Sequence, residues 1–267
     1  MGSADWNLWP LGMEYETTFP LFHKLGIEFL ELGIYTPSIE LEHDRIGLIS
    51  TLQEKHSVEV TAALFSLTPN LWPNGAFSNS DSNFLAECEI FFVGLQNLGI
   101  KFANIWTGAD GPNSNIEAAM ITLEKLNKLA SSFNGIVSIE YKSDTIFPDG
   151  ASLSAMLQNF DSLKVLVDTG HAFAIEEDIV KLIKELHLRG LLGSIHLGDA
   201  VPGDSDADLP CGRVHDFSPI VDALEEINFS GSANFDLYGA AVDPAGPGPE
   251  KILIESLHYL ESLLASG

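Results

Sequence analysis

Short hydrophobic runs alternate with longer stretches of helical periodicity along the whole chain. The runs have the length of strands, and the stretches between them repeat apolar residues every three or four positions. This alternation favours repeated strand–helix units. We predict eight strands, at Asp5–Pro10, Ile27–Tyr35, Val58–Ser66, Phe102–Thr107, Ile136–Tyr141, Val165–Thr169, Leu191–Gly198 and Ala233–Tyr238.

The clearest helical pattern covers Glu176–Arg189. Its first turn is acidic, which suits the positive end of a helix dipole, and Gly190 follows at the position that favours a left-handed residue. Its apolar stripe consists of Ile179, Leu182, Ile183 and Leu186. The same periodicity predicts further helices at Ile116–Phe133 and Pro249–Leu264.

The strand–helix alternation predicts an α/β fold with a parallel sheet. Eight such units in 267 residues match a (β/α)₈ TIM barrel, which typically needs about 250 residues. A doubly wound sheet is the alternative, but the glycine-rich loop expected after its first strand is missing. We therefore predict one domain over residues 1–267, with two long loops, Thr68–Asn83 and Ala200–His215, at the C-terminal mouth of the barrel.

Composition narrows the class of partner. With 38 acidic and 13 basic residues the formal net charge is −25, which disfavours nucleic acid and anionic membranes. Cys88 and Cys211 make no disulfide framework, and neither a secretory signal nor a membrane-spanning run is visible. We expect a cytoplasmic protein with a small-molecule substrate, and a homo-oligomer remains open.

A metal-binding side chain ends each of four successive predicted strands. Parallel strands place their C-terminal ends on one face of a barrel, so distant side chains converge there. Three carboxylates and one imidazole supply mostly hard oxygen donors, which suit Mn²⁺ or Mg²⁺, while the imidazole also allows Zn²⁺ or Co²⁺. We predict one divalent ion bound by Glu140, Asp168, His196 and Asp236.

This ordered set resembles the xylose isomerase-like barrel family, in particular its branch of sugar phosphate isomerases and epimerases. The most distinctive segment is Asp168-Thr169-Gly170-His171 followed by three acidic residues. The resemblance implies the same four metal ligands. It also implies that His171 and Arg213 contact the substrate.

The predicted activity is isomerisation or epimerisation of a ketose or related polyol through an enediolate. Glu140 would remove the proton beside the carbonyl, and Asp236, His215 or a metal-bound water would return one. Related epimerases usually carry glutamate where Asp236 stands, and aspartate is one methylene shorter. Asp236 is therefore better suited to metal binding than to proton transfer.

Three further residues are candidates for substrate binding. Glu31 ends the second predicted strand, but a hydrogen bond inside the barrel is an equal interpretation. Lys142 lies two residues after Glu140 and could meet an anionic substrate or lie at the rim. Trp106 ends the fourth predicted strand and could form an apolar wall for a sugar.

Three rival functions remain. A lyase of the same fold would dehydrate an inosose or remove a sugar-like group from an aromatic aglycone. A non-catalytic barrel that binds metal or ligand is the second. An endonuclease of this fold is disfavoured, because the third and fourth predicted strands end without histidine and the chain is strongly acidic.

Overall fold

The computed structural model describes residues 1–73, 75–77, 81–110 and 114–265. Eight parallel strands form a closed barrel, in which the first strand along the chain pairs with both the second and the last. The barrel strands are β1 (Gly2–Ala4), β2 (Phe29–Ile34), β3 (Glu59–Ser66), β4 (Phe102–Trp106), β5 (Ile136–Glu140), β6 (Leu163–Asp168), β7 (Leu192–Leu197) and β10 (Ser232–Phe235). The predicted single-domain TIM barrel is confirmed as a fold.

Helices surround the barrel. Those described are α1 (Tyr15–Lys24), α2 (Pro37–Glu40), α3 (His43–His56), α4 (Ser82–Leu98), α5 (Ile116–Ala130), α6 (Gly150–Leu157), α7 (Thr169–Ala174), α8 (Ile179–Leu188), α9 (Ser218–Glu226), α10 (Tyr238–Val242) and α11 (Pro249–Leu264). None of the helices in this described part of the chain has the length and hydrophobicity needed to cross a bilayer.

Helix α8 illustrates how the sequence forms these elements. Its buried stripe is the predicted one, and the Asp178 side chain caps it by accepting a hydrogen bond from the Lys181 amide at 3.0 Å. Glu176 has a positive φ of 57°, so the helix begins three residues later than predicted. The helix predicted at Ile116–Phe133 likewise ends earlier, at Ala130.

The first predicted strand is wrong. Asp5–Leu11 is a 3₁₀ helix, and the strand is the preceding Gly2–Ala4. These three small residues carry no hydrophobic pattern, and close packing explains their size. A Cβ on Gly2 would lie 2.3 Å from the Asn234 side-chain oxygen. Trp6 and Trp9, which the predicted strand contained, lie in the 3₁₀ helix.

The predicted loop Ala200–His215 contains an antiparallel hairpin. Its strands are β8 (Asp199–Val201) and β9 (Asp204–Leu209), which pair outside the barrel. Four of the six residues in Asp204–Leu209 are polar, so the hairpin lacks the apolar alternation that identifies a strand. The long loop before α4 is confirmed only as far as its described residues extend.

Candidate metal centre and substrate cavity

Four side chains meet at the C-terminal mouth of the barrel. Glu140 and Asp168 are the last residues of β5 and β6, His196 is next to last in β7, and Asp236 follows β10. Asp168 and His196 are paired in register across neighbouring strands. Ligand atoms of Glu140, Asp168 and His196 lie within 4.8 Å of one another, and all three residues are buried.

The Nδ1 atom of His196 lies among the four side chains. It is 3.8 Å from Glu140 Oε1, 3.7 Å from Asp168 Oδ2 and 3.6 Å from Asp236 Oδ2. These distances exceed those of good hydrogen bonds, and this buried nitrogen has no hydrogen-bond partner among the described residues. A cation bound between the carboxylates would use its lone pair. The donor set therefore fits Mn²⁺, Mg²⁺, Co²⁺ or Zn²⁺.

Asp168 combines two roles. Its Oδ1 accepts a hydrogen bond of 2.8 Å from the His171 amide and so caps α7. Its Oδ2 faces His196 Nδ1. The capping bond orients the carboxylate, because α7 begins directly after β6 and leaves the other oxygen for the metal centre.

Asp236 is oriented by Trp6, whose indole nitrogen donates a hydrogen bond of 2.8 Å to Asp236 Oδ1. The Trp6 ring also packs edge-on against His196, with ring centroids 6.0 Å apart. The 3₁₀ helix found where a strand was predicted thus supplies a hydrogen-bond donor to the candidate metal centre.

The buried carboxylates have raised pKa values. Burial raises the pKa of Glu140 to about 7, with the neighbouring Asp168 and Asp236 adding to the shift and the two histidines opposing it. Burial also raises the pKa of Asp236. Burial alone would lower the pKa of His196, but the carboxylates of Glu31, Glu140 and Asp236 raise it well above its ordinary value. A raised pKa favours the protonated form of each group, so a cation would have to displace these protons in order to bind.

A cavity of about 180 Å³ opens beside these side chains. Four aromatic side chains line it: Trp6, Tyr35, Trp106 and Tyr238. Its acidic and basic lining side chains are Glu140, Lys142, His171, Asp206, Asp208 and Asp236. The structure thus brings together the predicted metal centre and three of the predicted substrate contacts, His171, Lys142 and Trp106.

His171 has a defined orientation in this cavity. Its Nδ1 lies 3.1 Å from the Tyr141 carbonyl oxygen and 3.4 Å from Glu140 Oε1. Because a carbonyl only accepts, the proton of a neutral His171 ring resides on Nδ1. The other ring nitrogen is then an acceptor for a substrate hydroxyl.

Lys142 lines the cavity but is already paired. It forms an ion pair with Asp206 of the β8–β9 hairpin, and its ammonium lies 5.6 Å from the centre of the Trp106 ring. Its side chain is only 10% exposed, whereas that of Asp206 is 79% exposed. An anionic substrate would have to compete with Asp206 for this lysine.

Three of the predicted site residues lie elsewhere. Among the described residues, neither Arg213 nor His215 lines the cavity, and Arg213 pairs with Glu255 at 2.9 Å. His215 stacks on Phe173 at 3.9 Å, and its Nδ1 lies 2.7 Å from the buried carboxylate of Asp199. Glu31 is fully buried beneath the metal centre and bonds to His196, so it does not line the cavity either.

The sequence interpretation missed Asp206 and Asp208. Both lie on β9 and line the cavity, and Asp208 Oδ2 accepts a hydrogen bond of 2.9 Å from the Gly239 amide. Burial and the nearby Asp236 and Asp168 raise the pKa of Asp208 well above its ordinary value. The available signal was the spacing of Asp204, Asp206 and Asp208, since side chains two apart share one face of a strand.

Comparison with known families agrees with this architecture. The family model described as xylose isomerase-like TIM barrel matches residues 19–263. The chain therefore belongs to the xylose isomerase-like TIM barrel family. A search of curated protein sequences finds no match.

Solved structures of similar fold include several sugar epimerases. L-Ribulose 3-epimerase superposes with a TM-score of 0.79 at 14% identity, covering 100% of this chain and 94% of the other. D-Allulose 3-epimerase from Methylomonas sp. gives 0.77 at 16% identity, covering 98% and 96%. The zinc-bound IOLI protein gives 0.74 at 15% identity, covering 99% and 97%. At these identities the likeness establishes the shared fold.

Proposed function

We propose that this chain is a divalent-metal-dependent isomerase or epimerase of a ketose or related polyol, acting through an enediolate. The observation that carries the proposal is the convergence of Glu140, Asp168, His196 and Asp236 around an unpartnered Nδ1 atom. Solved relatives of the fold add support, since they include ketose 3-epimerases, one of them in complex with D-allulose, and a protein with bound zinc.

These four side chains would hold the ion. When bound, a divalent cation polarises a substrate carbonyl and stabilises negative charge on the neighbouring oxygens. Glu140 would remove the proton from the carbon beside that carbonyl. Burial raises the pKa of Glu140 to about 7 without an ion, and a bound cation would lower it, so the side chain would be the carboxylate that can accept a proton.

His171 would hold the substrate by accepting a hydrogen bond from one of its hydroxyl groups, given the orientation fixed by the Tyr141 carbonyl. The walls formed by Trp6 and Trp106 would exclude water and pack against the sugar ring or chain. Such exclusion protects the enediolate from unwanted protonation.

The second proton transfer would fall to Asp236 or Asp208. Both line the cavity, whereas His215 is held by Asp199 and Phe173 away from its described walls. Asp236 has one oxygen bound by Trp6 and the other directed at the metal centre, which limits its freedom. Asp208 is therefore the stronger candidate for returning the proton.

A lyase is the second candidate. Four aromatic side chains in one small cavity would suit a substrate with an aromatic aglycone, and the same proton abstraction by Glu140 would begin the elimination. Isomerisation keeps the mass of the substrate, whereas elimination yields smaller products.

The test is incubation of the Mn²⁺-loaded protein with a panel of ketoses and inososes in D₂O. NMR would detect deuterium beside the carbonyl and any new epimer, and mass spectrometry would detect elimination. We expect Glu140→Gln to reduce exchange by about 100-fold or more. The matched control is Glu225→Gln at the opposite mouth of the barrel, which should keep full activity.

Metal-loaded wild type that neither exchanges deuterium nor converts any member of the panel would overturn the enzyme proposal. That result would leave the non-catalytic binding barrel. If the wild type is active, Asp208→Asn and the control Asp204→Asn on the same hairpin strand would distinguish the two candidate proton donors. Loss of activity in Asp208→Asn alone supports Asp208, and full activity in both variants supports Asp236.

A further inference from the structure

A polar cluster inside the barrel lies directly beneath the metal centre. At its middle is Glu31 of β2, which is fully buried. Its Oε1 accepts a hydrogen bond of 2.7 Å from Asn104 of β4, and its Oε2 accepts one of 2.7 Å from Asn234 of β10. The Nε2 atom of His196 lies 3.0 Å from the same Oε2.

The composition of this cluster needs an explanation. Burial of a carboxylate costs several kcal/mol unless hydrogen bonds compensate, and barrel interiors are usually filled by branched apolar residues. Here three strands supply the carboxylate and two amides, and the fully buried His196 imidazole is the third group bonded to Glu31. All three groups bond to the two oxygens of the Glu31 carboxylate. Its contact with His196 best explains why a costly buried carboxylate is found here.

The contact with Glu31 determines which ring nitrogen of His196 carries a proton. A carboxylate that accepts from two amides can only accept from the ring, so Nε2 must carry a proton. The opposite atom, Nδ1, is then free of a proton in the neutral ring and faces three carboxylates at 3.6–3.8 Å. Without Glu31, Nδ1–H could instead donate to one of those carboxylates, and the ring would be unable to bind a cation.

We propose that Glu31 is a positioning residue: its bond to Nε2–H selects the tautomer and orientation in which His196 offers Nδ1 to a metal ion. Asn104 and Asn234 hold the carboxylate in place from opposite sides of the barrel. This assignment replaces substrate binding as the role of Glu31. It rests on the proposed metal centre but does not depend on which reaction the protein catalyses.

The test compares Glu31→Leu, which removes the acceptor, with Glu31→Gln, which keeps an oxygen that can accept from Nε2–H. Zn²⁺ affinity is measured by competition with a chelating dye. We expect affinity to fall by about 100-fold in Glu31→Leu and by about 10-fold in Glu31→Gln, the range found when such supporting partners are removed. Partial rescue by glutamine distinguishes positioning from a general loss of packing.

Ser138→Ala is the matched control. Ser138 shares a hydrogen bond of 3.3 Å with Ser194 inside the barrel and makes none with Glu31. It tests whether any loss of an interior polar contact weakens the metal centre, and we expect unchanged Zn²⁺ affinity. Circular dichroism would establish that each variant is folded, and Glu31→Gln remains informative if Glu31→Leu is not.

A second readout is independent of affinity and activity. In ¹⁵N-imidazole NMR spectra of the Zn²⁺-loaded wild type, His196 should show a protonated Nε2 and a metal-bound Nδ1. Binding through Nε2, or wild-type affinity in both Glu31 variants, would overturn the inference while the metal centre stands. Wild type that binds no Zn²⁺, Mn²⁺ or Co²⁺ would instead overturn the proposed function and this inference together.

Discussion

The barrel has a cavity at each mouth, and the two differ in size and chemistry. The cavity at the N-terminal mouth measures about 670 Å³, whereas the one beside the candidate metal centre measures about 180 Å³. Glu225 is the only acidic or basic side chain among the described residues that line the larger cavity, while six line the smaller. The larger cavity is mainly apolar, with walls that include Phe29, Phe102, Ile220 and Leu224.

This comparison shows that volume is a poor guide to the candidate site. Burial of ionisable groups is costly, so a protein retains several in one place only where their chemistry compensates. An apolar cavity buries no ionisable group, so its volume is no comparable sign of chemistry. We therefore expect changes at the candidate metal centre, and not at the larger cavity, to alter metal binding.

Removal of the central ligand should have the largest effect. His196→Ala deletes the imidazole to which all three carboxylates are directed, and we expect metal affinity to fall by more than about 100-fold. Metal content measured by elemental analysis would check this against Glu225→Gln, which should keep about one ion per chain. Equal metal content in the two variants would contradict the assignment.

Acidification should weaken metal binding next. Glu140 has a pKa raised to about 7 by burial, so below that pH its carboxyl holds a proton that a cation must displace. We expect affinity to fall at least about tenfold for each pH unit below 7, and more steeply where the raised pKa of His196 adds a second proton to be displaced. Titrations with Mn²⁺ from pH 8 to pH 5.5 would measure the slope, and a flat profile would argue against Glu140 as a ligand.

Loss of the indole donor should have a smaller effect. Trp6→Phe keeps an aromatic ring against His196 but removes the hydrogen bond to Asp236 Oδ1. A hydrogen bond to a charged group contributes roughly 1.5–3 kcal/mol, only part of which orients the carboxylate. We expect a several-fold loss of metal affinity by calorimetry, with Trp9→Phe, outside the described cavity wall, as the control.

Enlargement of the N-terminal cavity should change stability alone. Ile220 is 2% exposed and lines that cavity, so Ile220→Ala should lower the free energy of unfolding by about 2–4 kcal/mol. Urea denaturation would measure this loss. Metal affinity should stay at the wild-type value, and a change would mean that the two mouths are coupled.

The sequence by itself determined the barrel and the strand ends at which the candidate metal ligands lie. Buried parallel strands need near-continuous apolar runs, which are visible in β5, β6 and β7, and the rule that such strands end on one face predicted that Glu140, Asp168 and His196 converge. Local periodicity carries this information because each strand and helix must hide its own apolar surface.

Only the tertiary structure decided what each side chain contacts. Glu31 and His196 are 165 positions apart, and Trp6 and Asp236 are 230 apart, so no local pattern signals either bond. The same holds for Asp208, which a polar hairpin brings over the cavity, and for His215, which Phe173 and Asp199 hold elsewhere. Which atoms form a hydrogen bond depends on differences in position of a few tenths of an ångström. Packing of the whole barrel sets these positions.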